Sequence, residues 1–345
     1  MSTFTRRRSA SVARTTVDST RDHVGTSTTP RETSRRPDRL LTRAFVCLGL
    51  ADLAYFTAAG IAIYALPMYV TGPVGSTPAG AGLAFGAFAL SAILLRPLAG
   101  RRADRHGRRH LLVGGAVLAA VVLVATPLAE DLIAVIVLRL LFGVAEAAFF
   151  VASLAALADL APPARIGEAI SYNSLGLYAG LGVGAPLGEA LVRGLGFGGA
   201  WTGAALLCVA AAVLAGTIGE TRAPASATES PSRLIHWPAV PIALGFLASV
   251  AAMGGFLAFA PLKADEVGLV NASVPVLVYG MVVVGLRITL ARFQDRLPAL
   301  TVAVTALVTM TMGLTVIVLW ATPTALVVGT VLLGAGVALS TPAFF

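Results

Sequence analysis

Three ionisable residues, Asp52, Arg139 and Glu146, stand inside stretches otherwise made of aliphatic and small side chains. A carboxylate withdrawn from water can hold and release a proton, and a nearby guanidinium can drive the release or orient an anionic solute. Glu146 follows Arg139 by seven residues, two helical turns, so a helix presents both on one face. Asp52 lies about 12 Å, and Glu146 about 18 Å, from the nearer end of its apolar run. A charge at the centre of a membrane helix costs about 2.5–3.5 kcal/mol even on the lenient insertion scale, so such charges need an interior or watery setting. The expected chemistry is proton relay or solute recognition, with a structural Arg–carboxylate pair as the plain alternative. Nothing suggests catalysis: His23 and His236 are isolated, and His106 and His110 sit in a basic segment. No glycine loop precedes a lysine to hold a nucleotide. Cys47 and Cys208 lie in apolar stretches, which suggests no disulfide framework and no metal site. No cofactor is expected.

The elements that must carry these charges are membrane helices. Of 345 residues, 57% are hydrophobic and 12% charged, and mean hydropathy is +0.85. Soluble domains carry about 25% charged residues, so a soluble enzyme, a nucleic-acid module and a disordered regulator are excluded. The net charge of +8 is not a nucleic-acid signal, because ten of the 25 basic residues precede Ala44 and most others fall in short loops. Crossing the hydrocarbon core takes about 20 apolar residues. Uncharged runs yield ten spans: two around Leu53–Leu95, broken at Thr71–Gly80, then Leu111–Ala129, Leu132–Ala158, Ala169–Gly188, Gly194–Gly219, Leu234–Leu262 and Val267–Leu286. The last two come from Leu297–Phe345, divided at Ala321–Thr324. No repeated strand-like alternation suggests a membrane barrel. Residues 1–41 lack the apolar content to fold and read as a disordered cytoplasmic tail. Alternate loops carry Arg101, Arg102, Arg105, Arg108, Arg109, Arg165, Arg222, Arg233, Arg292 and Arg296, against Arg193 and Lys263 on the other side. That asymmetry puts the amino terminus in the cytoplasm.

A shift of 191 residues lays RPLAGRRADRHG, from Arg96, on RITLARFQDRLP, from Arg287, and Gly143 on Gly334. The unit is six helices: 42–219 is the N-terminal half, 220–237 a cytoplasmic linker, and 238–345 a C-terminal half of four helices. Counterparts of the fifth and sixth spans are missing from the second copy, which reads as a chain cut short. Two parallel six-helix halves are a transporter plan.

Between the second and third spans stands GRRADRHGRR. It resembles the signature loop of the major facilitator superfamily at Gly100, Asp104, Arg105, Gly107, Arg108 and Arg109. The resemblance covers about residues 42–345 and implies an all-α membrane protein of two six-helix halves, the second incomplete. It implies that the loop is a cytoplasmic latch between the halves, its arginines bridging carboxylates opposite. The weaker copy, Asp295 and Arg296, would meet the start of the fifth span near Arg165–Glu168. Arg139 and Gly143 in RLLFG resemble the family's fourth-span motif, in which a membrane Arg is tied to proton coupling. With the first and fourth spans lining one cavity, Asp52, Arg139 and Glu146 would form one cluster. Gly176, Gly180, Gly184 and Gly188 recur every fourth residue and permit close helix contact. With Pro186 they resemble the antiporter motif, from which Ala185 and Glu189 depart. Tyr279, Met253, Phe256 and Asn271 read as packing or rim residues. The family then implies a monomeric, multi-pass secondary transporter of the cytoplasmic membrane, exporting a small organic molecule against protons. The alternatives are proton-symport uptake and a fragment that does not transport. The partners implied are that solute, protons and the lipid bilayer, with no nucleic acid.

Overall fold

The computed structural model describes residues 40–221, 240–294 and 299–344. They form α1 (Arg43–Thr71), α2 (Pro78–His106), α3 (Arg108–Ala125), α4 (Leu132–Leu160), α5 (Ile166–Gly216), α6 (Val240–Glu266), α7 (Val274–Gln294), α8 (Ala299–Leu319) and α9 (Pro323–Phe344). Among the described residues there is no strand. A 29-residue helix such as α1 is about 43 Å long, enough to cross about 30 Å of hydrocarbon. Eight helices have the length and apolarity to span a membrane. Counting both arms of the 51-residue α5 and the shorter apolar stretch of α7 recovers the ten passes.

Three boundaries differ from those read in the sequence. The fifth and sixth spans are two helices that meet at Gly196, φ 72° and ψ −178°, with no loop between them, so Glu189 and Arg193 stay helical. The seventh span runs on past Leu262 to Glu266, and its expected start at Leu234 lies outside the described residues. The eighth starts at Val274 instead of Val267, because Gly268 takes φ 79° and Pro275 sits in the first turn, where a proline ring suits a helix start. Residues 222–239, 295–298 and 1–39 lie outside the described residues, and with them Asp295, Arg296, His23, His236 and most of the linker.

Small residues fill the seams and large aliphatic ones face outward. Along α1, Ala51, Ala58, Gly60, Ala62 and Ala65 are buried, while Leu90, Leu94 and Leu98 of α2 are more than half exposed. That is how helices pack when lipid is as apolar as leucine and close backbone approach supplies the attraction.

The repeat extends to contacts. A Cβ on Gly143 of α4 would meet the Phe88 carbonyl and Ser91 of α2; one on Gly334 of α9 would meet Val282 and the Tyr279 carbonyl of α7. Each member is its counterpart moved by 191. Gly115 of α3 lies against the Ala145 carbonyl of α4, and Gly336 of α9 against the Ala306 carbonyl of α8. That is the same seam with the glycine on the opposite helix.

Because successive helices alternate in direction, Gly100–Arg109, Leu160–Ile166 and Gly216–Thr221 share one end, here called the basic end. The α1–α2 and α6–α7 turns and the Gly196 bend share the far end.

Candidate functional site

Helix α4 carries a buried polar ladder. Arg139, Glu146 and Ser153 are seven residues apart and 2%, 8% and 2% exposed. Seven residues turn a helix almost twice round, so the three share a face about 10 Å apart. Each rung is held by a different element. The Ser153 hydroxyl donates to Asp52 of α1, 2.7 Å from Oδ1 and 2.8 Å from Oδ2. Asn173 of α5 donates its amide to the same carboxylate. Asp52 is 1% exposed, so three helices converge on one buried acid. Arg96 of α2 donates to Glu146 at 3.0 Å and lies over the Phe150 ring, 4.8 Å away. Arg139 reaches Thr126 at 3.4 Å and faces the rings of Phe142 at 4.9 Å and Trp201 at 5.5 Å. Tyr55 fills the space beside the ladder, stacked on Phe149 with centroids 4.0 Å apart.

Asp52, Arg139 and Glu146 therefore do not form the single cluster expected. Arg139 and Glu146 sit at two levels of the α4 face and Asp52 of α1 meets the third, at Ser153. Same-face spacing was legible, but a seven-residue step is too long for Arg139 and Glu146 to pair directly. Arg96 takes Glu146 instead.

At the basic end Gly107, φ 96°, links α2 to α3 in a conformation that favours glycine. Glu220, just past α5, accepts the N–H of Arg108 at 2.8 Å and of Arg109 at 3.3 Å. It satisfies donors that a helix start leaves open. Arg108 bridges Asp104 at 3.3 Å and Asp159 at 3.1 Å, Thr221 donates to Asp159 at 3.1 Å, and Arg109 reaches the Gly216 carbonyl at 2.8 Å. Among the described residues these partners belong to the N-terminal half or, for Glu220 and Thr221, to the start of the linker, not to the opposite half as expected. Arg165 and Glu168 pair with each other.

Helix α5 makes two seams. Gly180, Gly184 and Gly188 face Phe56, Thr57, Gly60 and Ile61 of α1, where a Cβ on Gly60 would lie 2.9 Å from the Gly184 Cα. A Cβ on Gly176 meets nothing, so the contact begins one turn later than the stripe suggested. Pro186 stays inside the helix. On its other side Gly182 meets Gly280 of α7, Tyr178 packs edge-on against Tyr279, and Arg287 donates to Ser174 at 2.7 Å. Tyr279 and Phe256 are buried there, as packing residues would be.

At the far end Glu189 of α5 is 4% exposed. It accepts the N–H groups of Ala272 and Ser273, at 3.1 and 3.0 Å, and the Ser273 hydroxyl at 2.5 Å. Arg193, one turn on, pairs with Glu189 at 2.7 Å and reaches the Val270 carbonyl and Asn271 at 2.5 and 3.0 Å. A cavity of about 400 Å³ opens beside them, lined by Tyr64, Met68, Phe197 and Asp265 among others.

This architecture has relatives. A sequence model of the Major Facilitator Superfamily matches residues 48–345. The chain belongs to the Major Facilitator Superfamily. An uncharacterized MFS-type transporter of Salmonella typhimurium is 29% identical over 296 residues, covering 83% of this chain and 74% of the relative. The MFS-type transporter YuxJ of Bacillus subtilis is 35% identical over 92 residues, 27% of this chain and 24% of the relative. Among solved structures, the human organic anion transporter MFSD10 superposes with TM-score 0.70 at 17% identity, over 89% of this chain and 85% of that one. A bacterial homolog of the human lysosomal transporter Spinster, inward-facing and unoccupied, gives 0.67 at 16% identity, over 87% and 73%. The superfamily makes this a multi-pass membrane transporter and not an enzyme.

Within the superfamily fold, sequence reasoning missed four participants. Ser153 and Asn173 are neutral, so no charge marked them, although Ser153 continues the seven-residue step from Arg139. Arg96 was read only as part of the repeat. Glu189 was read as a departure from a glycine motif, yet it binds the turn before α7 through two backbone N–H groups and a hydroxyl.

Proposed function

We propose that the protein is a proton-coupled exporter of a small organic molecule in the cytoplasmic membrane, working as a monomer by alternating access, with Asp52 carrying the proton. The single observation behind this reading is the acid itself: a carboxylate 1% exposed, held, among the described residues, by neutral donors from α4 and α5 alone. Without a cationic partner, its charge state is free to change during a cycle. Ser153 and Asn173 both donate, which suits the carboxylate. Once Asp52 is protonated, the Ser153 hydroxyl can rotate to accept, but the Asn173 amide nitrogen cannot. Its hold on α5 then weakens. Glu189 lies on the same helix, about 24 Å further along, so a change at Asp52 bears on the contact between halves. Arg139 and the Arg96–Glu146 pair complete a polar route along α4.

The α5 glycine seam, Pro186 included, favours export, through its likeness to the antiporter motif. The ten-to-two charge asymmetry of the loops favours a cytoplasmic basic end and amino terminus. A two-halved carrier rocks about a site between the halves.

The test is reconstitution into liposomes with a pH-sensitive dye inside and a panel of small organic solutes. Solute leaving as protons enter supports the proposal, with the exchange abolished in Asp52→Asn while insertion is kept. Solute and protons moving together would establish symport. Wild-type proton flux in Asp52→Asn would remove that residue from the mechanism. No solute-dependent flux with any compound would favour a chain that does not transport.

A further inference from the structure

We infer that the chain binds the headgroup phosphate of an anionic phospholipid in a cleft between the outer faces of α2 and α3, held by Arg102, His106 and His110. The cleft, about 440 Å³, is lined by these three residues and Leu111. All three basic side chains are exposed, and among the described residues none of them has a hydrogen-bond or ion-pair partner. Arg102 and His106 occupy positions that the signature pattern of GRRADRHGRR leaves unspecified, and His110 directly follows it. The motif residues Arg108 and Arg109 are bound to Asp104, Asp159 and Gly216, whereas the side chains of Arg102, His106 and His110 bond to none of the described residues.

Their direction follows from helical spacing. Leu90, Leu94 and Leu98, 57%, 63% and 55% exposed, lead at four-residue steps to Arg102 and His106. On α3, His110 begins a stripe that continues through Val117, Val121 and Val124, all exposed. Residues four apart share a helix face, so the three basic groups end two aliphatic stripes that point out of the bundle. Such stripes lie along acyl chains, and the phosphate of a lipid in that leaflet sits where they end. A guanidinium offers paired N–H donors to phosphate oxygens, and each imidazole adds another. Basic pockets between membrane helices suit anionic headgroups. Among the described residues no carboxylate lines the cleft; Asp104 is engaged by Arg108. A phosphodiester with an uncharged glycerol headgroup fits this charge, whereas a choline headgroup would bring a cation against Arg102.

The test uses the full chain in detergent, titrated with phosphatidylglycerol, phosphatidylcholine or inorganic phosphate. Retained lipid is counted by native mass spectrometry, and the thermal midpoint is read in parallel. Wild type is expected to retain at least fivefold more phosphatidylglycerol than phosphatidylcholine and to gain thermal stability with it. In R102Q/H106Q/H110Q that preference should vanish while the lipid-free midpoint holds. The control R6Q/R7Q/R8Q, which removes at least as much charge, should behave as wild type. If the triple variant does not fold, Arg102→Gln alone should lower retention at least twofold. Unchanged retention in the site variants would overturn the inference. So would an equal loss in the tail control, which would mean bulk charge, or an equal gain with inorganic phosphate, which would mean a free-anion site.

Discussion

Glu189 accepts the backbone N–H of Ser273 at 3.0 Å and its hydroxyl at 2.5 Å, so a carboxylate in one half holds the turn that leads into a helix of the other. Buried donors left without a partner cost about 1–3 kcal/mol, and Glu189 satisfies two backbone donors at once. Glu189→Ala should therefore lower the thermal midpoint in detergent and release the α6–α7 turn. A cysteine at Tyr64 in a Cys47→Ser/Cys208→Ser background reads the second effect. Its labelling by an impermeant reagent should speed up about tenfold on the general scale of such a loss. Unchanged labelling would mean that the far end is closed by other contacts.

The α1–α5 seam predicts a contrast between two glycines. A Cβ on Gly60 would lie 2.6 Å from the Leu181 carbonyl oxygen, whereas one on Gly176 meets nothing. Gly60→Ala should destabilise by about 1–3 kcal/mol through overpacking. Gly176→Ala should be neutral or slightly stabilising, since alanine is the better helix former. Thermal melts of the two variants side by side check this, and equal losses would refute it.

Much of the architecture was legible because a membrane leaves few choices. An uncharged run long enough to cross has to be a helix, so the ten passes could be counted before any contact was known. The bend at Gly196 was not legible, because Gly188, Gly194, Gly196, Gly198 and Gly199 all permit a turn and only the bonds of Glu189 and Arg193 decide among them. The site was half legible. Charges in apolar runs marked Asp52, Arg139 and Glu146, but their partners come from other helices, and sequence spacing reports only one helix at a time.

The Arg96–Glu146 pair should show coupling. Arg96→Gln leaves the buried Glu146 without its cation and Glu146→Gln leaves Arg96 without its carboxylate, and we expect losses of about 1–3 kcal/mol, below the cost of breaking a fully buried pair. The Arg96 side chain is 42% exposed, which softens the loss. The double variant should lose less than the sum of the singles. Strict additivity in a double-mutant cycle of thermal stability would deny the pair.

At the basic end the two acids that meet Arg108 should differ. The Asp104 side chain is 68% exposed and that of Asp159 22%. Asp104→Asn should cost about 0.2–1 kcal/mol, as exposed pairs do. Asp159→Asn also disturbs the Thr221 contact and should cost about 1.5–3 kcal/mol, the range for bonds to charged groups. Denaturation midpoints rank them, and the reverse order would place the anchor of the loop elsewhere.

The matching glycine seams have a mechanical consequence. Where Gly115 lies on the Ala145 carbonyl and Gly336 on the Ala306 carbonyl, backbone comes close to backbone with little side chain between to act as a cushion. Surfaces that close cannot slide without lifting apart, so in the proposed alternating access each set of helices would turn as one solid piece. Play is left at the joints made of bonds that can be broken and remade, Glu189 with Ser273 and Arg287 with Ser174. The molecule is in this respect a pair of rigid levers with polar clasps, and the clasps are where a single substitution would change the rate of turning without changing the levers.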